Sequence, residues 1–403
     1  MLEIKPIFNS LLRSKAGAVM LLVQIAITVA IVSNAAFIIS DRIAYLHQDT
    51  GYPEHEIFSF SVVTFGDDVD RVQKIQENVR MLRNVPGVIN AVSLTEIPLS
   101  GSGSASSFSL SSEPDNSGQN GVRAAYVMGD EHSLDTLGVE IAQGRNFTAQ
   151  DVIVFDSEGP MVNVMIASKP FVDEIFPSGD GLGKTVYFGN NPIKIIGIVD
   201  KMMGPWLKDR AAEHFVIMPL VRDSRFQKVL VRAHPAQRSV IMARVEQLML
   251  DNYDKRVITN IRALDKAKAD YNAEDILMMR MLIVIIVVLV LVTALGIFGL
   301  TVFNINKRTK QIGTRRALGA RKSDIIRYFL VENCIICLVG ISIGAIAAVY
   351  LGQLLLLHYE LPALDNSFIA VTIVLVLCMS LLSVLMPAYK AANISPSIAT
   401  RSV

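Results

Sequence analysis

The chain has 403 residues, 51% hydrophobic and 19% charged, with a formal net charge of +1. That charge says nothing about nucleic acid; the positive residues lie where membrane topology wants them, so a nucleic-acid reading would mistake anchoring for binding. The apolar residues are gathered into four long runs, as in a membrane protein that also carries a large soluble part.

The first 15 residues read as a cytoplasmic N-terminus holding Lys5, Arg13 and Lys15. The first run, 16–40, is long enough to span a hydrocarbon core of roughly 30 Å. Ser33-Asn34-Ala35 loosely resembles a signal cleavage site, but the run continues past it and exceeds the usual length of a signal h-region, so it reads as a retained span. Its Gln24, Thr28 and Asn34 suit hydrogen bonds between helices.

Residues 41–280 have ordinary globular composition and read as an α+β domain of two subdomains. Glu56–Phe65 has strand character, and Asp68–Leu82 carries apolar residues at Val69, Val72, Ile75, Val79 and Leu82, a helical spacing. Val88–Leu94 then reads as a strand. The pattern recurs near the far end, with strand Lys228–Arg232, helix Ser239–Asp251 and strand Arg256–Ile261. Two such units at opposite ends predict one subdomain built from both ends and another inserted between them. Ser100–Gly121, rich in Ser and Gly, reads as a mobile loop or the boundary itself. Arg262–Arg280 reads as one continuous helical stalk. Ser178-Gly-Asp-Gly-Leu-Gly-Lys-Thr185 resembles a P-loop, but Ser178 stands where the first glycine is needed. The residues after it read as strand and turn, without the helix N-terminus that binds phosphate. The six histidines show no metal-ligand spacing and no serine lies in a nucleophile elbow. No catalytic, cofactor or metal site is therefore expected in this chain.

The second span is 281–303. The basic segment 304–327 follows, with eight Lys/Arg and one acid, Asp324, between Lys307 and Arg327. A loop so short and positive belongs on the cytoplasmic side. Ile312, Ala317, Leu318 and Ile325 punctuate its charges at roughly helical spacing, which a mere topological anchor does not need; a short amphipathic helix presenting a surface to a cytosolic partner does. The third span is 328–357, with Glu332 as its one acid, read as an interfacial or interhelical partner. Gly340, Gly344, Ala348 and Gly352 recur every four residues and form a small-residue packing stripe. Cys334, Cys337 and Cys378 all lie in apolar runs and read as packing residues. A short external loop, 358–367, leads to the fourth span, 368–389, and the cytoplasmic tail, 390–403. The Lys/Arg asymmetry predicts four spans in a one-plus-three order, both termini cytoplasmic, and residues 41–280 outside.

The segment Lys307-Arg-Thr-Lys-Gln-Ile-Gly-Thr-Arg-Arg-Ala-Leu-Gly-Ala-Arg-Lys-Ser-Asp-Ile325 resembles the basic signature of the MacB/FtsX-type permease subunits of ABC transporters, the mechanotransmission class. Pro387-Ala-Tyr-Lys-Ala-Ala-Asn-Ile-Ser-Pro396 is similar to that family's C-terminal motif, and a hairpin containing Gly183-Lys184 before Ile193–Val199 is similar to one in its periplasmic domains. The resemblance implies an inner-membrane permease with a MacB-like periplasmic core. It implies that the basic loop is a coupling helix, Arg308 to Ala320, docked on a cytoplasmic ABC ATPase dimer that binds the ATP and Mg. Ile312, Ala317 and Leu318 would enter a groove of the ATPase with Arg308, Arg315 and Arg316 at its polar rim, while Gly313 and Gly319 allow close approach or end the helix. Gln311 stands where many relatives carry glutamate, which removes an ion pair open to them. The ATPase is expected in trans, and a second permease copy or paralogue completes the dimer within membrane lipid. An adaptor and outer-membrane channel would mark efflux; a lipoprotein carrier would mark lipoprotein release. Signalling to cell-wall hydrolases, as by FtsX-like proteins, fits less well, because those carry a much smaller external domain.

Overall fold

The computed structural model describes residues 15–66, 70–112, 121–155, 161–359 and 363–394. The chain divides into two units, one formed by Gln48–Ala273 and one by Met1–His47 with Glu274–Val403. In chain order, α1 (Lys15–Leu46) precedes β1 (Ile57–Thr64), α2 (Arg71–Arg83) and β2 (Val88–Leu94). Then come β3 (Ser104–Ser109), β4 (Gly121–Gly129), α3 (Ser133–Leu137), β5 (Gln143–Gly144), β6 (Ile153–Phe155), β7 (Val164–Ser168), α4 (Lys169–Ile175), β8 (Thr185–Phe188), β9 (Asn191–Val199) and β10 (Phe215–Arg222). The soluble unit closes with β11 (Phe226–Ala233), α5 (Pro235–Asn252), β12 (Arg256–Ala263) and α6 (Leu264–Tyr271). Helices α7 (Ala273–Lys307), α8 (Thr309–Ala317), α9 (Lys322–Tyr359) and α10 (Asn366–Ala392) complete the chain.

Both ends of the soluble unit build one four-stranded antiparallel sheet, in the order β12-β1-β11-β2. The alternation in β1 explains its placement. Phe58, Phe60 and Val62 join Val229 and Val231 in a core that also takes Val79 and Leu82 of α2 and Ile241 and Val245 of α5. Helix α2 starts where the Asp70 side chain accepts a hydrogen bond from Gln73 N–H, 2.9 Å long, so the helix opens three residues after the predicted Asp68. Val69, which the predicted pattern included, lies outside the described residues. The two β-α-β units build one subdomain, as the sequence predicts, and interleave in a split βαβ arrangement.

The insert forms the second sheet. Its strands run β4-β3-β8-β9-β7-β10-β6, and β4 also pairs with β10, which closes a ring of six strands. Phe108, Met165, Val186, Ile195, Val216 and Met218 fill it, and α4 contributes Phe171 and Val172. Strand β3 corrects the expectation of a loop at Ser100–Gly121. Its serines are small enough for a paired strand, and the buried Phe108 anchors it between β4 and β8. The Arg262–Arg280 stalk is also corrected. Strand β12 runs on to Ala263, and Asn272 separates α6 from α7, its N–H bonding Lys268 O at 3.1 Å. The P-loop-like stretch ends in strand β8, with Lys184 paired to Asp180 at 2.6 Å.

Among the described residues, α1, α7, α9 and α10 are long and apolar enough to cross a membrane. They contain the four predicted spans. Leu21, Ile25 and Val29 of α1 share a core with Ile336, Cys337 and Ile341 of α9 and Val376, Val384 and Ala388 of α10. Helix α7 buries a narrower stripe, Thr293, Ile297, Thr301, Asn304 and Ile305. The Thr28 and Thr293 hydroxyls meet at 2.8 Å, and Asn34 donates to Ala348 O at 3.0 Å. Both contacts satisfy polar groups that would be costly in lipid.

Candidate functional site

The predicted basic segment folds as a helical hairpin. Arg308 leaves the helical conformation (φ −108°, ψ 13°) and separates α7 from the short α8. Helix α8 ends in a Schellman turn: Ala320 N–H donates to Arg315 O at 3.0 Å and Gly319 N–H to Arg316 O at 3.2 Å. Gly319 has φ +95°, a conformation costly for any residue with a Cβ. Asp324 then accepts from Arg321 N–H at 3.0 Å, holding the start of α9.

This geometry divides the predicted docking residues. Gln311, Arg315, Ala317, Leu318 and Gly319 are exposed and Arg316 and Ala320 are half-buried; Leu318 is 84% exposed at the tip. Ile312 points the other way. It is 6% exposed and shares the bundle core with Ile325, Phe329 and Ala388, and Gly313 is buried beside it. The expectation that Ile312 enters a partner's groove is therefore corrected. Six residues at 100° each place Leu318 about 120° around a helix from Ile312, so the two cannot share one face. Arg308 is corrected likewise: it is no rim residue. Its Nη1 and Nη2 donate to the two Glu332 oxygens at 2.9 and 3.1 Å, with the side chains 15% and 5% exposed. Arg308 Nη1 also reaches Tyr328 Oη at 3.3 Å, while the Arg315 guanidinium lies 5.3 Å from the centre of the same ring. Arg316 Nη1 donates to Ala320 O at 3.0 Å, so it braces the turn.

Tyr328 and Phe329 belong to this site and were not singled out from the sequence; Ile325, which was, joins them. Their places three and four residues after Ile325, opposite the α8 face made by Arg308, Ile312 and Arg315, are the signal that could have found them. A cavity of about 120 Å³ lies between the two helices.

The small-residue stripe finds its neighbour within the chain. A Cβ on Gly344 would lie 2.8 Å from Ala26 O and from Val29 Cβ, and one on Gly340 would lie 3.0 Å from Ile25 Cβ. Ala348 is fully buried. A Cβ on Gly352 would meet both Leu364 Cβ, at 3.0 Å, and Asn34 Oδ1 of α1, at 3.2 Å. Helices α1 and α9 thus touch nearly backbone to backbone. Among the described residues no group of three or more His, Cys, Asp or Glu side chains could hold a metal ion.

The family profile for the MacB-like periplasmic core domain matches residues 17–248, and that for the FtsX-like permease C-terminal region matches 283–396. A macrolide export ATP-binding/permease protein MacB of Mannheimia succiniciproducens is 26% identical over 277 residues, 66% of this chain and 41% of that protein. The pyoverdine export ATP-binding/permease protein PvdT of Pseudomonas aeruginosa is 29% identical over 290 residues, covering 69% and 42%. The chain spans about two fifths of the length of these curated relatives. Among solved structures, the periplasmic region of MacB from Actinobacillus actinomycetemcomitans is similar over 50% of this chain and 88% of that one, at 17% identity and a TM-score of 0.33. The extracellular domain of the transporter YknZ from Gram-positive bacteria is similar over 50% of this chain and 100% of that one, at 16% identity and a TM-score of 0.32. With one profile on the soluble unit and the other on the basic hairpin and the helices around it, the chain belongs to the MacB/FtsX-type permeases of ABC transporters.

Proposed function

We propose that this inner-membrane protein is the permease subunit of a mechanotransmission-type exporter, moving substrate by motions of its periplasmic domain while a separate cytoplasmic ATPase dimer hydrolyses ATP. In this reading both termini are cytoplasmic, the α8 hairpin docks on the ATPase, and a second permease copy or paralogue completes the assembly. The names of the similar ATP-binding/permease proteins support an ATP-driven export role. One observation carries the docking site: a large apolar side chain, Leu318, stands 84% exposed on a turn fixed by two backbone hydrogen bonds, amid a strongly basic segment. A solvated anchor has no use for that arrangement, whereas an interface uses such a residue as its anchor and the surrounding charges for steering.

The test is Leu318→Asp in the full chain, with Lys322→Ala as the comparison. The ATPase is the protein that co-purifies with the wild type, is identified by mass spectrometry as an ABC ATPase, and hydrolyses ATP in the purified complex. Leu318→Asp should lower its retention about tenfold or more, and Lys322→Ala should leave most of it in place. Stability should stay within about 0.5 kcal/mol, because Leu318 is 84% exposed. Wild-type retention by Leu318→Asp would return the segment to the role of a topological anchor.

A further inference from the structure

The cavity between α8 and α9 is unused by the contacts described so far. Its floor is Ile312, Ile325 and Phe329, each nearly fully buried, and its rim carries Gln311, Arg315 and Asp324. We infer that this hollow receives a bulky apolar side chain of the ATPase, so that the coupling contact interlocks in both directions: Leu318 enters the partner and a partner residue enters here. The inference rests on the ATPase-docking reading and adds the partner's half of the contact.

Size, polarity and position select this occupant. At about 120 Å³ the hollow is close to the roughly 150 Å³ cavity that holds benzene in an engineered protein, so an aromatic ring or a branched aliphatic group fits. An acyl chain would cross a rim of both charges. The hollow and Leu318 belong to one hairpin, joined through residues 318–321, so a surface that covers the tip reaches the opening. Eight basic residues against one acid between Lys307 and Arg327 call for an acidic partner surface. A carboxylate beside the inserted side chain would meet Arg315, whose guanidinium is held over Tyr328.

Two measurements on the full chain, in membranes containing the ATPase identified above, decide it. A photo-reactive benzoylphenylalanine is placed at Gln311 on the rim, and separately at Leu318. Ala320→Phe, in turn, fills the hollow from its own wall. Cross-linking to the ATPase from both positions, with about tenfold lower ATPase retention by Ala320→Phe and an undiminished Tm, is the expected result. Cross-linking from Leu318 alone, or from Gln311 to lipid only, overturns the interlock and leaves the docking reading standing. Silence from both positions removes both readings. Should Ala320→Phe lower the Tm, the Gln311 cross-link decides alone; wild-type retention by a folded Ala320→Phe also overturns the interlock.

Discussion

Glu332 and Arg308 are 24 residues apart, and their bidentate pair ties the break before α8 to the body of α9. With side chains 5% and 15% exposed, each is expensive to leave alone. Removing one partner of a buried pair costs about 3–5 kcal/mol, and the small exposure of Arg308 places Glu332→Gln at the lower end. A clear drop in Tm in detergent is expected for that variant, with most of the loss recovered in Arg308→Met combined with Glu332→Leu. An unchanged Tm in the single variant would show that the pair adds nothing. The sequence made Glu332 legible as an acid near the interface that needs a partner. It could not name Arg308, because the pairing depends on the helix break at that residue. No periodicity marks the break.

Among the elements, the α1–α9 contact depends most on the absence of side chains. Gly344→Leu must push Val29 and the Ala26 carbonyl away, and overpacking of this kind costs about 1–3 kcal/mol. Gly299→Leu is the control, since a Cβ there meets nothing within 4 Å. Thermal unfolding should separate the two variants clearly; equal values would mean that α1 and α9 do not pack closely in the membrane. The four-residue spacing made the stripe readable. Its partner was not readable, since small residues invite any backbone. Strand β3 escaped notice because serine is a turn former in isolation, and only pairing on both sides with Phe108 buried makes Ser104–Ser109 a strand. For α8 the apolar residues were visible, and their spacing already sets Leu318 off the face of Ile312; what the spacing could not show is which of the two the helix bundle buries.

For the whole molecule, the basic-residue asymmetry makes a prediction about sidedness. A reporter fused after Asn306 or Val403 should register cytoplasm, and one inserted near Ser111 should register the outside; a cytoplasmic signal at Ser111 would invert every partner assignment made for the hairpin. The sheet built from both ends was legible because the same β-α-β pattern appears twice. The closed ring was not, because β4 and β10 meet across some ninety residues of chain with strands running in both senses. The register of the four-stranded sheet has a mechanical consequence. Phe58 pairs with Ala263, so the chain arrives on β1 and departs on β12 at one end, on strands bonded to each other. Leu94 pairs with Lys228, so the six-strand ring hangs from the other end, between β2 and β11. The insert is also tied to the arriving chain, because Tyr52 Oη donates to Met203 O at 2.6 Å, so it is fastened at both ends of the sheet and a displacement of the entering chain bears on both.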